Sequence, residues 1–445
     1  MNVIAIFVCV LAFAASLWAA RRSLVSGLVV VLATGYLFGI VRANIISPFS
    51  HFIFDASLAG FYCAQWSTGM TADTKRRSSA IRGWLIALIV WPALICLLPF
   101  QTLMVSLVGL RGNIFFLPLC LVAVRMKSRD WSSLSLAFAA LNLFALSFAA
   151  AEYFLGVERF FPVSPVTAII YASRDVAGFE YFRIPGTFSN AHSYAGTMVA
   201  TLPLLIGAWS QPGLSAARKY FLSAGLTAAI LGILVANTRV NVVATAAIAL
   251  AALLQGKMSP RMRLVLCGAI VAAAVLALSN ERLQRFTSLS DSEAVAGRIQ
   301  GSVNRTFFEV MVEYPMGNGL GGGGTSIPSF LEGQVVKPIA IESEYGRILL
   351  EQGIIGLLFW IGFIFWFLTC SRASARSEWI VARRLTWVGC AVSFGLSALG
   401  TGMLTSIPST ALMLLGLGWV MVPPSEDQAV RLRPTVPTDR VEVYA

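Results

Sequence analysis

The sequence predicts an all-α membrane protein: a polytopic transmembrane helix bundle of about 12–13 spans with one large loop containing an amphipathic helix. Three observations predict it. Of 445 residues, 57% are hydrophobic and only 12% are charged, where soluble domains carry about 25% charged residues. The mean hydropathy is +0.77. The apolar runs are continuous and near the ~20 residues a membrane helix needs, and they do not alternate as barrel strands do.

The first element follows from "MNVIAIFVCVLAFAASLWAARR". It has no basic residues before its apolar run, so a retained first span is expected rather than a cleaved signal. Further spans are expected over residues 23–41, 45–66, 83–100, 104–124, 131–155, 190–210, 220–236, 239–255, 264–280, 346–370, 385–403 and 405–422, after a first one at 2–20. Basic residues sit on alternate connections: Lys75, Arg76, Arg77 and Arg82, then Arg125, Lys127 and Arg129. Arg218 and Lys219 follow, then Lys257, Arg261 and Arg263, then Arg372, Arg376, Arg383 and Arg384, then Arg431 and Arg433. All fall on one face, which the positive-inside rule makes cytoplasmic. The net charge of +12 therefore reports orientation, not a nucleic-acid partner.

Two polar connections are left for the outer side, 156–189 and 281–344. The chain divides into N-terminal helices (1–155), central helices with a short outer loop (156–280), a large outer loop (281–344), C-terminal helices (345–422) and a polar cytoplasmic tail (423–445), expected to be disordered. The seven cysteines, Cys9, Cys63, Cys96, Cys120, Cys267, Cys370 and Cys390, lie in or beside apolar stretches and read as small buried hydrophobes. Two histidines, His51 and His192, are too few and too far apart to imply a metal site.

In the large loop, Ile299, Val303, Phe307, Val310, Met311 and Tyr314 share one helical face between Ala294 and Tyr314. Arg298 and Arg305 line up on the opposite face near Glu309. Such a helix can lie along the membrane and offer two arginines to an anion; an Arg305–Glu309 pair on a solvated face is the other reading. "YPMGNGLGGGGTSIP" follows, with six glycines in eight positions. Glycine lets backbone approach a ligand closely and cradle phosphate, as at Gly319 and Gly321. A hinge reads equally well, and no Gly-Lys-Ser/Thr follows to make a P-loop.

The outer loop 156–189 ends in "YFRIPGTFSNAHSYAG". Arg183 precedes a Pro-Gly turn, Ser189 or Asn190 can cap the next helix, and His192 falls in its first turn, with a structural or a catalytic role open. Arg239 opens another span in "VANTRVNVVA" with no carboxylate near it in sequence. It is a functional candidate or a snorkelling residue. "IAIESEYGRILLEQGIIGLLFW" places Glu342, Glu344, Arg347 and Glu351 in or beside a span, where a charge costs about 2.5–3.5 kcal/mol on insertion scales. Arg347 and Glu351 are four apart and can pair. Glu342 and Glu344 are expected at the outer mouth. Arg183, Arg239, Arg298 and Arg305 would suit a pyrophosphate, with a carboxylate to accept a proton from an attacking hydroxyl.

Four stretches, in order, resemble the O-antigen ligase/polymerase superfamily of the Wzy-C type, over roughly residues 180–370. They are "RIPGTFSNAHSYAGTMVATLPLL", "NTRVNVVATAAIAL", "GRIQGSVNRTFFEVMVEYPMGNGLG" and "ESEYGRILLEQGIIGLLFW". The N-terminal third matches only as generic spans. The resemblance implies a glycosyltransferase in a bacterial inner membrane with its site facing the periplasm. It would move glycan from an undecaprenyl pyrophosphate carrier to an acceptor hydroxyl, with no cofactor or metal. Flippase and chain-length regulator proteins are implied partners beside the bilayer and the carrier-linked glycan. Arg183, Arg239 and Arg298 would hold pyrophosphate, with Arg305 beside them. Ligases of this superfamily carry a histidine just before the re-entry span. Here the place reads Ile-Glu-Ser-Glu-Tyr, which favours a polymerase with Glu342 or Glu344 as base.

Overall fold

The computed structural model describes residues 1–66, 68–173, 181–255, 260–279, 305–324, 327–339, 341, 343–370, 378–400, 402 and 404–422. Among the described residues the regular elements are helices and no sheet is present. Helices α1 (Asn2–Arg22) and α2 (Leu24–Asn44) form a hairpin at Ser23, whose hydroxyl caps α2. A 3-10 turn (Pro48–Phe52) leads to α3 (Ile53–Trp66), α4 (Ala72–Arg77) and α5 (Ser79–Cys96). Then come α6 (Leu103–Ile114), α7 (Leu119–Arg125), α8 (Ser128–Leu155) and the short α9 (Ala168–Ala172). The central helices are α10 (Ala191–Trp209), α11 (Ala216–Val235), α12 (Arg239–Leu253) and α13 (Pro260–Ser279). The last four are α14 (Arg305–Glu313), α15 (Glu344–Cys370), α16 (Ile380–Leu396) and α17 (Ser409–Met421).

Among the described residues, seven helical stretches are long and apolar enough to cross a membrane: α1, α2, α5, Leu103–Arg125, α8, α11 and α15. The chain is thus a helical membrane bundle. The other expected spans coincide with α3, α10, α12, α13, α16 and α17. Of these, α3, α12 and α17 have only 14, 15 and 13 residues, short of the ~20 that span a bilayer unaided.

The core sits around α10. Every residue of this helix except His192, Gly196 and Ala200 is buried, and it packs on α8, α11, α12, α16 and α17. A polar chain ties it inward. Tyr36 donates to Asn142 Oδ1 at 2.7 Å, and Asn142 donates to Thr201 Oγ1 at 2.9 Å. Such interhelical bonds contribute only about 0.6 kcal/mol each on average, so close packing carries most of the association. Helix α1 is the opposite case. It buries Ala5, Ser16, Ala19 and Ala20, and turns Phe7, Leu11 and Trp18 outward, as a helix facing lipid does.

Helix α15 is broken at Gly353, where φ is +70°. A regular helix would bond the Ile354 N–H to the Leu350 carbonyl. Instead the Leu350 carbonyl accepts the Asn318 N–H at 2.6 Å, and the Ile354 N–H donates to the Pro315 carbonyl at 2.9 Å. The Gln352 carbonyl takes the Trp91 indole N–H at 2.9 Å. The glycine-rich loop thus enters the bundle and replaces the bonds that the break removes. Irregular backbone inside a membrane protein needs this full substitution. Only glycine fits at Gly353: a Cβ there would stand 2.6 Å from both the Met316 carbonyl carbon and the Pro315 oxygen.

Candidate active site

The charges of the re-entry segment are paired inside the protein. Arg347, Glu344 and Glu351 are all fully buried. The Arg347 guanidinium donates to Glu344 Oε1 at 2.6 Å and to Glu351 Oε2 at 2.5 Å. Asn113 of α6 donates to the same Glu351 oxygen at 3.0 Å, and its carbonyl oxygen accepts from Gln352 at 3.0 Å. The Gly402 N–H donates to Glu344 Oε2 at 2.8 Å. The expected Arg347–Glu351 pair is therefore present, and Glu344 joins it. This corrects the expectation of Glu344 at the outer mouth: it is interior, and both its oxygens already accept N–H bonds. With no exposed surface, this carboxylate is out of reach of an outside hydroxyl.

Glu342 and Arg298 lie outside the described residues. Arg305 is the first residue of α14, and its side chain is not among those described. The helix expected over 294–314 is described for Arg305–Glu313. Val310 is buried, Phe307, Met311 and Tyr314 are half-buried, and α14 packs against α15. Phe308 and Val312, on the adjoining quarter, are 57% and 79% exposed. The apolar arc is thus wider than the protein covers, which suits a helix lying at a lipid interface.

Gly319 and Gly321 have φ of +90° and +84°. Protein stands against both: a Cβ would meet Phe100 Cβ at 2.6 Å from Gly319, and Val105 Cγ1 at 2.8 Å from Gly321. Gln101 fastens the loop by donating to the Asn318 carbonyl at 2.8 Å and accepting the Val336 N–H at 2.8 Å. These glycines seat the loop on α6.

Arg183 and His192 come together. Arg183 Nη1 lies 3.1 Å from His192 Nε2. A guanidinium only donates, so Nε2 accepts and the imidazole proton sits on Nδ1. His192 is exposed in the first turn of α10. Asn190 caps that helix by accepting the Ser193 N–H at 2.8 Å. The turn between Arg183 and His192 is held from below: Glu152, buried at the end of α8, accepts the Gly186 N–H at 2.8 Å. The Ile40 N–H of α2 donates to the Thr187 carbonyl at 3.0 Å, and Gly39 makes room for the backbone of Phe188.

Arg239 is the first residue of α12, half-buried, and its Nε is buried with no hydrogen-bond partner among the described residues. Helices α10 and α12 pack together. Gly196, Asn241 and Ser409 meet where they do: a Cβ on Gly196 would lie 3.5 Å from Ser409 Cβ and 3.8 Å from Asn241 Oδ1. The N-termini of α10, α12 and α17 therefore converge at one end of the bundle. Helix N-termini carry partial positive charge and attract anions. Glu152 went unnoticed in sequence because the turn it supports begins 34 positions later. Its one signal was a carboxylate at the end of an apolar run.

No family model matches the chain, and no curated protein matches it at a significant level.

Proposed function

We propose that the chain is a membrane glycosyltransferase that polymerises undecaprenyl-pyrophosphate-linked oligosaccharide units into exopolysaccharide or O-antigen at the periplasmic face of a bacterial inner membrane. The observation that carries this reading is the junction of α10 and α12. There the Arg183–His192 contact lies on the first turn of one helix, and Arg239, its Nε without a partner among the described residues, opens the other. The ordered resemblance of four segments supports the choice of chemistry.

In this reading the arginines hold the carrier's pyrophosphate and stabilise it as it leaves. The acceptor hydroxyl attacks the anomeric carbon, the bond from that carbon to the pyrophosphate oxygen breaks, and the hydroxyl proton passes to a base. His192 takes that role once Arg183 turns its N–H groups to the pyrophosphate and frees Nε2. Glu342 is the carboxylate alternative. Glu344 supports the fold, and the glycine loop shapes the wall.

A deletion strain complemented with wild type, Arg239→Gln or Arg298→Ala tests the reading through its carrier-linked glycan and secreted polysaccharide. Single repeat units accumulating on the outer leaflet, with no long polymer, are expected for both variants. Full-length polymer unattached to lipid A would make the chain a ligase. Precursor held at the cytoplasmic leaflet would make it a lipid-linked oligosaccharide transporter. The broken α15 is a feature transporters share. Here the groups freed at the break, Leu350 C=O, Ile354 N–H and Gln352 C=O, are each bonded to protein. Normal polymer at wild-type protein levels would overturn the proposal.

A further inference from the structure

The N-terminal helices carry a second group of cations that the site above does not use. Arg42 stands in the last turn of α2, Arg111 on α6, and His51 in the 3-10 turn between α2 and α3. Arg111 is matched: it donates to both oxygens of Asp55, at 2.8 and 2.6 Å. Arg42 has no carboxylate among the described residues. Its guanidinium lies 5.3 Å from the Phe38 ring centre, and its Nη2 reaches the Val166 carbonyl only at 3.5 Å. Its Nε is buried with no hydrogen-bond partner among the described residues.

His51 is buried, with its ring 5.5 Å from that of Phe330. Burial, with Arg42 and Arg111 both close, pushes its pKa down to about 3. It is therefore neutral at pH 7, an N–H donor that adds no charge. Among the described residues the carboxylate of this group, Asp55, is bonded to Arg111, so the charge of the half-buried Arg42 is left over. The C-terminal dipole of α2 offsets part of it. The surroundings say what kind of anion would restore the balance. Leu37, Ile46 and Phe49, close by in sequence, are exposed large apolar residues, as expected where acyl chains lie. The polar cover comes from one loop: Val166 accepts from Arg42, Phe160 from Asn44 and Thr187 from Ile40. That loop also carries Arg183.

We propose that Arg42 is a phosphate-binding residue which, with Arg111 and the neutral His51, receives the phosphate of a lipid-borne ligand where loop 156–189 meets α2. The identity of that ligand as a carrier-linked substrate rests on the function proposed above; the binding itself does not. The guanidinium supplies two parallel N–H donors to phosphate oxygens, and the apolar flank accepts the chain.

The test uses the full chain in phosphatidylcholine nanodiscs titrated with farnesyl pyrophosphate. Arg42→Gln is expected to weaken binding at least tenfold, and Arg42→Lys, which keeps the charge and loses the fork, by an intermediate factor. Unchanged affinity in Arg42→Gln overturns the proposal. Should that variant not fold, phenylglyoxal labelling of wild type decides. Protection of Arg42 by farnesyl pyrophosphate, read by mass spectrometry, is the expected result, and equal labelling with and without it overturns the proposal. Arg239→Gln in the same titration separates the two readings: lost binding in Arg42→Gln with full binding in Arg239→Gln keeps this site and removes the pyrophosphate role of Arg239. Repeating the titration with phosphatidylglycerol in the nanodisc identifies the source. Competition means a phospholipid headgroup occupies the site, and its absence means a pyrophosphate lipid does.

Discussion

Two groups of arginines in this bundle look alike in sequence and differ in three dimensions. Arg347 is fully buried with two carboxylates and a carboxamide around it, and it bonds to all three. Arg239 and Arg42 are half-buried, and each keeps a buried Nε without an acceptor among the described residues. The difference lies in the guanidinium donors: each nitrogen of Arg347 donates to a buried acceptor, while Arg239 and Arg42 each keep an Nε with none among the described residues. The first arrangement holds helices together; the second is the one proposed above to take an anion.

The comparison breaks most visibly at Arg347. Arg347→Met leaves Glu344 and Glu351 buried without a counter-ion, and removing one partner of such a group costs about 3–5 kcal/mol. Thermal unfolding in detergent should show it. The triple change Glu344→Gln, Arg347→Met, Glu351→Gln should recover most of the loss. If the triple variant is as unstable as the single one, the cluster is not an electrostatic unit.

Next in size is the break in α15. Gly353→Ala forces a left-handed backbone conformation, φ +70°, on a residue with a Cβ, at a cost of about 1–3 kcal/mol. It also presses on Pro315 and Met316. The expected outcome is a lower melting temperature together with new protease cleavage within 314–324.

Acidification gives a smaller, graded effect. The His51 pKa falls from 6.5 in the unfolded chain to about 3 when folded. Between those values the unfolded chain binds the extra proton, so stability falls as pH drops from 6.5 toward 3, by roughly 1.4 kcal/mol per unit at most. Melting curves at pH 7 and pH 5 should separate for wild type, and His51→Gln should narrow the gap.

Arg239→Gln should be the mildest change to the fold. No bond among the described residues is lost, so stability should stay within about 0.5 kcal/mol, while glycan transfer by membranes drops at least tenfold. A loss of stability like that of Arg347→Met would return Arg239 to the structural group.

The helices were legible because a membrane span is written in composition over a long window. The Arg347–Glu351 pair was legible because a spacing of four places two side chains on one helical face. What sequence concealed are contacts between distant elements. Asn113 reaches Glu351 across 238 positions, and Arg111 reaches Asp55 across 56. Glu344 was misplaced because its nearness to a loop in sequence suggested exposure, whereas the Gly402 N–H and Arg347 draw it inside. The glycine loop read as either a hinge or a phosphate cradle. Its packing on Phe100 and Val105 depends on α6, about two hundred positions earlier.

The exchange at Gly353 also bears on the shape of its segment. As a straight helix, α15 would close the Leu350–Ile354 bond within itself; in the finished bundle the same two groups bond to Asn318 and Pro315. Leu350 and Ile354 stay satisfied in either state. At these two groups the straight and the broken segment therefore have equal numbers of backbone bonds, and docking of the glycine loop decides which of the two shapes the segment holds.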